Sequence, residues 1–159
     1  MFVQALTRHG SHYCIDPRYE IGQVDVRQTF ANYEATWSRN HRRNVRKDLR
    51  KLQESGPLRL HLHRNVPPGE VERLVTEAFS LEDRSWKGDA GDSVVRQPGL
   101  LNYFVRQARQ LAEWNVLRVA FLAHADRRIA FEYGWLGKRV YYSYKVGYDP
   151  EYASFGPGH

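Results

Sequence analysis

The sequence predicts an α+β domain that contains a three-strand antiparallel meander. The main observation lies in residues 58–148, where one strand pattern is followed by two helical patterns and then by three strands joined by short turns. The second observation is size and composition. With 159 residues, of which 42% are apolar and 13% aromatic, the chain is long enough for one hydrophobic core and short for two.

Residues 1–29 have the least regular pattern and are assigned as a residual N-terminal segment. The stretches VQAL, HYCI and IGQVDV are candidate short strands, and Pro17 breaks any helix there. Cys14 is the single cysteine of the chain, which leaves no second cysteine for a disulfide or a zinc site. We therefore expect Cys14 to be a small buried apolar residue.

A helical pattern extends through residues 30–55. Residues that can face a core recur there at spacings of four and three: Trp37, His41, Val45, Leu49 and Leu52. Ser38 is suited to cap a second helix after a short first one, and Gly56 followed by Pro57 supplies the stop. The sequence therefore predicts one or two helices before the first strand.

The next elements are a strand and a helix. LRLHLHR (58–64) alternates apolar and polar residues, as a half-buried strand does, and the prolines at 67 and 68 end it. Residues 69–82 form an amphipathic helix whose core face is given by Val71, Leu74, Val75, Ala78 and Phe79. SWKGDAGDS (85–93) is rich in glycine, aspartate and serine, which indicates a loop.

A second helix and a meander complete the predicted core. Pro98 fits the first turn of a helix that reaches residue 114 and whose core face is given by Leu101, Phe104, Val105, Ala108, Leu111 and Ala112. VLRVAFLA (116–123), RIAFEYGWL (128–136) and RVYYSYKVGY (139–148) are the three strands, with tight turns at ADRR and at Gly137-Lys138. Asp149 and Pro150 end the last strand.

The basic excess is confined to one segment. Residues 39–51 hold seven arginines and lysines against one acid, a net charge of +6, which equals the net charge of the whole chain. Arg39, Arg43, Arg46 and Arg50 follow at spacings of four, three and four and share one helical face. This face could bind phosphates of a nucleic acid or of a nucleotide-linked or lipid-linked sugar, or it could be a solvated face whose arginine and lysine stems cover apolar surface.

Several classes of protein are disfavoured. No apolar run approaches the roughly 20 residues of a spanning helix, and the N-terminus lacks the basic and then apolar layout of a signal peptide. We therefore expect a soluble cytoplasmic protein. His61 and His63 share one strand face but have no evident third ligand, so they are expected to be exposed and no metal is predicted.

Three short stretches, together with the order of elements, resemble one known family. They are the basic helix with Ser38, Asn40, Arg42, Arg43 and Arg46, the SWKG at 85–88, and the YDPEY and GPG within 148–158. In this order they resemble the first half of a GNAT-fold acyltransferase, and more narrowly the FemAB/CelD-like branch, whose members occur in cell-wall and exopolysaccharide biosynthesis. The resemblance covers 30–159 and implies an acyl-CoA N-acyltransferase fold that is incomplete here, with 30–55 as a preceding basic helix. It also implies that the sheet is mixed and includes the meander.

The resemblance implies a donor site for acetyl-CoA or another acyl-CoA. In that family, the loop after the fourth strand presents backbone N–H groups to the coenzyme A pyrophosphate, and here it comprises Ser154, Phe155, Gly156, Pro157 and Gly158. Glycines let the backbone approach an anion, and a following helix adds unpaired N–H groups. The helix and strands that normally follow are missing from this sequence. We therefore expect a truncated chain that by itself is inactive and binds acetyl-CoA weakly or not at all.

Acceptor and catalytic residues are also predicted. Glu132 faces away from the apolar side of its strand and could take the proton of an incoming amine or hydroxyl, or could be a structural carboxylate. Tyr144 is a second catalytic candidate, and its alternation with Tyr142 and Tyr148 predicts one hydroxyl-rich face for a polar acceptor. These tyrosines could equally be packing residues. Trp86, with Lys87, could stack on a sugar or could anchor its loop.

Two other functions stay open at this stage. A nucleic-acid-binding module built on residues 39–51 would need basic charge and aromatic platforms in one groove. A non-catalytic remnant stabilised by a partner is the third interpretation. In addition, exposed edges of the meander could support self-association.

Overall fold

The structure, a computed structural model, describes residues 24–158 together with Arg8. It divides into two compact units, residues 1–37 and 38–159. The predicted strands VQAL and HYCI, and Cys14, lie outside the described residues. Of the predicted strand IGQVDV, residues 24–26 are described, and they are irregular or turn and not strand. In the first unit, helix α1 (Phe30–Ala35) begins at Thr29, whose hydroxyl accepts from Asn32 N. The rings of Phe30, Tyr33 and Trp37 pack edge to face beside it.

The second unit begins with the basic helix α2 (Arg39–Ser55). Ser38 caps it as predicted, since its hydroxyl accepts a hydrogen bond from His41 N at 3.1 Å. Trp37 precedes this cap, so it is not part of the α2 stripe that the sequence predicted. Leu52 is the buried residue of α2, whereas Leu49 is 45% exposed.

The remaining elements follow the predicted order. They are β1 (Leu58–His63), α3 (Pro68–Asp83), the short α4 (Trp86–Asp89), α5 (Leu100–Glu113), β2 (Leu117–His124), β3 (Arg127–Gly137), β4 (Val140–Tyr148) and a 3₁₀ helix (Pro150–Phe155). Helix α4 lies in the segment predicted as a loop, and Ser85 caps it by accepting from Lys87 N. The second meander turn is Lys138-Arg139, one residue later than predicted. Both residues have positive φ, as a two-residue hairpin turn of type I′ requires.

The four described strands form one sheet in the order β1-β2-β3-β4. Every pair is antiparallel, where a mixed sheet was predicted. The register explains this: His63, at the end of β1, lies opposite Val119, near the start of β2, so the chain re-enters the sheet at the end where it left. The α+β class and the three-strand meander are confirmed.

The core lies between α3, α5 and one face of the sheet. Phe79 of α3 stands at its centre, with its ring 4.7 Å from that of Phe104 and 5.8–5.9 Å from those of Phe131 and Tyr133. The core positions predicted on α3 are all fully buried, and those on α5 are buried apart from Leu101, which packs at the border. The amphipathic periodicity therefore identified the correct faces of both helices.

A bulge in β4 changes the predicted faces of its tyrosines. Tyr133 pairs with Lys145 but Gly134 pairs with Ser143, which leaves Tyr144 as an extra residue. Tyr144 consequently lies on the helix side of the sheet together with Tyr142, whereas Tyr148 lies on the open side opposite Ala130. The prediction that Tyr142, Tyr144 and Tyr148 share one face is wrong, because it assumed unbroken alternation.

Within residues 24–158, no helix combines the length and the apolar character needed to cross a membrane.

Candidate functional site

A cavity of about 690 Å³ lies along β4 at the open side of the sheet. Three walls enclose it: the open face of the sheet, the end of α3 with the start of α4, and the segment after β4. Six of the residues that the sequence predicted for function line this cavity: Trp86, Lys87, Glu132, Tyr148, Pro157 and Gly158. The structure therefore brings the predicted base, the acceptor-side residues and the end of the donor loop to one place.

The other predicted site residues lie elsewhere. Tyr142 and Tyr144 pack against Trp135 with ring distances of 5.8 and 5.1 Å, and Tyr144 also approaches Phe104, so both belong to the helix side. The α2 face is likewise separate from the cavity lining. It presents exposed side chains of Arg39, Arg43, Arg46 and Arg50.

The predicted donor loop is partly helical. Ser154 and Phe155 belong to the 3₁₀ helix, whose i→i+3 bonds occupy their N–H groups. Gly156 then adopts the left-handed region with φ 58°, and its N–H donates to Ala153 O. Proline has no N–H, so Gly158 is the residue of the described loop whose amide lies beyond the 3₁₀ helix and its cap. Gly158 also packs closely on the Tyr148 ring, where a Cβ would lie 3.2 Å from Cδ1.

Asp149 fixes the beginning of this loop. It is 1% exposed, and its Oδ2 accepts from Arg127 Nη2 at 2.6 Å and from Arg84 Nη1 at 3.2 Å. Its Oδ1 caps the 3₁₀ helix by accepting from Glu151 N at 3.1 Å. The sequence identified Asp149 as a strand terminator but gave no sign of its ion pairs, because Arg84 and Arg127 are distant along the chain.

A second chain of contacts holds the 3₁₀ helix from the other side. The Tyr152 hydroxyl lies 3.2 Å from His124 Nδ1, and His124 Nε2 lies 3.1 Å from the Ser55 hydroxyl at the end of α2. Ser55 donates its own proton to Leu52 O, so His124 Nε2 carries the hydrogen that Ser55 accepts. The serine is therefore a hydrogen-bond acceptor here and not an activated nucleophile.

Glu132 lies on the cavity side of β3 and is half-buried. The hydroxyl of Tyr141 lies beside its carboxylate. Burial, and then the adjacent Glu132 carboxylate, raises the pKa of the Tyr141 hydroxyl above its usual range, so Tyr141 stays protonated. Glu132 is thus a half-buried carboxylate beside the Tyr141 phenol, with one side toward the cavity.

Trp86 and Lys87 form the opposite wall. The Trp86 side chain is 69% exposed at the rim, whereas Lys87 reaches inward and donates to Glu82 Oε1 at 2.8 Å. Glu82 is 1% exposed; it also accepts from Val94 N at 3.1 Å, and Lys145 Nζ lies 3.7 Å away. A buried carboxylate with these partners keeps the Lys87 ammonium at the cavity.

Sequence reasoning did not select Glu82, although a signal was present. Glu82 follows Ala78 by four residues and Phe79 by three, so the α3 periodicity places it on the buried face. A carboxylate at a core position needs cationic or N–H partners, which is a reason to search for them nearby.

Asp83, the next residue, anchors the segment that carries Trp86. Its carboxylate accepts from the Ser93 hydroxyl and from Arg96 Nε, the latter at 2.7 Å. These hydrogen bonds, from Ser93 first and then Arg96, hold the pKa of Asp83 below its usual range. The segment 85–96 therefore starts just after α3 and returns to the end of the same helix through Ser93 and Arg96.

Comparison with known proteins identifies the family. A family model described as an acetyltransferase (GNAT) domain matches residues 39–159, well over half of the chain. No curated protein matches significantly. One similar solved structure is a conserved protein of unknown function from Bacteroides thetaiotaomicron, with 12% identity and a TM-score of 0.49 over 77% of this chain; the present chain spans 40% of that chain's length. On the strength of the family match, the chain belongs to the acetyltransferase (GNAT) domain family.

Proposed function

We propose that, in the full-length protein, this domain transfers an acyl group from acetyl-CoA or another acyl-CoA to an amine or hydroxyl acceptor. The observation that carries the proposal is the cavity along β4, which is lined by Glu132, Trp86 and the end of the Gly-Pro-Gly loop. Its volume, about 690 Å³, lies within the range of roughly 300–1,000 Å³ typical of small-ligand sites.

The donor would enter beside the loop. Pro150, Ala153, Pro157 and Gly158 supply a wall with short side chains, which lets the backbone come close to a bound group. The Gly158 amide is suited to donate to an anionic oxygen of the donor. The apolar residues Leu122, Ala130 and Val146 on the sheet side suit the uncharged part of an acyl-CoA.

Glu132 is the proposed general base. The acceptor nitrogen or oxygen attacks the thioester carbonyl carbon, Glu132 accepts the proton that the acceptor loses, and the carbon–sulfur bond breaks to release the coenzyme thiolate. The Tyr141 phenol lies beside this carboxylate and, with its raised pKa, does not compete with it as a base. Tyr144 is not proposed as a catalytic residue, because its ring packs against Phe104 and Trp135 on the side of the sheet that faces the helices, away from the cavity.

The acceptor is proposed to be a sugar, in keeping with the FemAB/CelD-like branch and its role in cell-envelope or exopolysaccharide synthesis. An exposed Trp86 ring at the cavity rim can stack on the apolar face of a sugar, and the Lys87 ammonium beside it can donate to its hydroxyls. Tyr148 borders the same space and presents a phenol toward it.

The test is release of coenzyme A thiol from acetyl-CoA by the full-length protein with a panel of amino sugars, hexoses and simple amines. We expect acceptor-dependent release, and Glu132→Gln should lower kcat by about 100-fold because general-base catalysis contributes on the order of 10²–10⁴. Glu72→Gln, which removes an exposed carboxylate paired with Arg109, is the matched control and should act like the wild type. Full activity in Glu132→Gln would refute its role as base, and absence of both thiol release and acetyl-CoA binding would refute acyl transfer.

A second candidate function rests on the α2 face. Its four arginines are exposed on one side of the helix, and they carry much of the charge excess of the chain. If the assay refutes acyl transfer, we propose that this face binds a nucleic acid through its phosphates. The meander tyrosines Tyr142 and Tyr144 pack on the helix side against Trp135, and neither they nor the four arginines line the cavity along β4. The cavity therefore favours acyl transfer.

A further inference from the structure

Asp149 connects two walls of the cavity. Arg84, one of its partners, ends α3 and directly precedes Ser85 and Trp86, while the 3₁₀ helix that Asp149 caps leads to Pro157 and Gly158. We propose that Asp149 is a positioning residue for the acyl donor, because it fixes the donor loop relative to the wall that carries Trp86. This inference rests on the proposed function, since it concerns binding of the donor to the same cavity.

The contacts of Asp149 reach three separate parts of the chain. Arg127 is the first residue of β3, and Arg84 is the residue that directly follows α3. Both donate to the same carboxylate oxygen, Oδ2 of Asp149. The other oxygen is used by Glu151 N, and the backbone N–H of Asp149 donates to Ile129 O at 2.8 Å. Arg127 adds a link to the loop itself through Glu151, with Nη1 2.7 Å from Oε2.

The role of Asp149 in ending β4 does not explain why this residue carries a charge. Asparagine or serine would end β4 and cap the 3₁₀ helix equally well. A carboxylate that is 1% exposed is tolerated only with strong partners, and here two guanidinium groups supply them. Both arginine side chains are close to half exposed, at 47% and 44%, so they remain solvated on their outer side. The ion pairs therefore serve to hold the loop more than to neutralise the arginines.

The consequence for binding follows from populations. A donor binds only when Pro157 and Gly158 are in place at the cavity, and its apparent dissociation constant rises in inverse proportion to the fraction of time that they are. If loss of the Asp149 charge leaves the loop in place for about a tenth of the time, donor affinity falls about tenfold. The chemical step in the bound complex changes little, because Glu132 lies on β3 and does not contact Asp149.

The test compares Asp149→Asn with the wild-type full-length protein. We expect KM for acetyl-CoA to rise about tenfold while kcat stays within about threefold, and the amides of residues 151–158 to exchange with deuterium about tenfold faster. Asparagine keeps the shape and the cap, so the fold should persist. Arg84→Gln, which breaks only the link to the Trp86 wall, should give a smaller rise in KM in the same direction.

Two controls separate positioning from general destabilisation. Leu111→Ala removes buried volume from α5 far from the loop, and Glu72→Gln breaks an exposed ion pair; neither should raise KM or loop exchange. The inference is overturned if Asp149→Asn leaves KM and loop exchange within twofold of the wild type, or if Leu111→Ala raises KM equally. Hydrogen exchange requires no activity, so it decides whether Asp149 holds the loop even if acyl transfer itself is refuted.

Discussion

Gly134→Ala should destabilise the domain because the bulge in β4 brings backbone against this glycine. A Cβ at residue 134 would lie 2.2 Å from the carbonyl oxygen of Tyr142 and 2.8 Å from the hydroxyl of Tyr141. Ordinary van der Waals contact begins at 3.4 Å, which is 1.2 Å more than the 2.2 Å available. The strands β3 and β4 would therefore have to separate locally by about 1.2 Å. The obstructing oxygen belongs to the backbone of a paired strand and has no rotamer through which to move away.

The magnitude combines two opposing effects. Overpacking typically costs about 1–3 kcal/mol, and here the upper part of that range applies because backbone is involved. Alanine recovers about 0.5 kcal/mol through its smaller loss of backbone entropy. The net loss is about 2 kcal/mol, which corresponds to a melting temperature lower by about 4–8 °C in a chain of this size.

Thermal unfolding followed by circular dichroism measures this effect. Gly137→Ala is the matched control, since it places the same substitution at the end of the same strand, where the nearest side-chain atom would be at 3.5 Å. It should leave the melting temperature within about 2 °C of the wild type. The steric reasoning is refuted if Gly134→Ala melts within that margin, or if Gly137→Ala loses as much stability.

Two further predictions concern His63 and the arginines of α2. Burial, and then Arg128, lowers the pKa of His63 below 6.5, so as pH falls through 6.5 the unfolded chain binds a proton first and the free energy of unfolding decreases. His63→Asn should flatten this decrease between pH 7 and pH 5 in denaturant titrations, and an unchanged slope would contradict the assignment. If α2 binds a nucleic acid, Arg43→Gln with Arg50→Gln should reduce the slope of log K against log salt by about 2 on duplex DNA, because each phosphate contact contributes about 0.9. Arg59→Gln with Arg64→Gln should change it less, and equal effects of the two pairs would refute a site on α2.

Local patterns were sufficient for most of the fold. The 3.6-residue spacing of Val71, Leu74, Ala78 and Phe79 fixed both the helix and its buried face, and Ser38 marked the start of α2. These features depend on residues close together in the chain, so they are readable without tertiary structure. The confirmed meander has the same origin, since its turns join adjacent strands.

The tertiary contacts were not readable in this way. The bulge at Tyr144 depends on how β4 matches β3, and a single extra residue moved Tyr148 to the opposite face from Tyr144. His63 was expected to be exposed, but it is half-buried with its ring 5.8 Å from that of Phe121. The carboxylates of Glu82 and Asp149 are held by partners from several elements, and no spacing rule anticipates such pairs.

The hydrogen-bonded series Ser55, His124 and Tyr152 has a thermodynamic consequence. It joins the end of the arginine-bearing helix α2 to the 3₁₀ helix beside the cavity, within one compact unit. An anion whose binding displaced the end of α2 would either break the hydrogen bonds of this series or displace the 3₁₀ helix as well. By reciprocity, any factor by which such an anion changed the affinity for an acyl donor would equal the factor by which the donor changed the affinity for the anion. The series Ser55, His124 and Tyr152 is thus the physical link through which ligands of these two surfaces would influence each other.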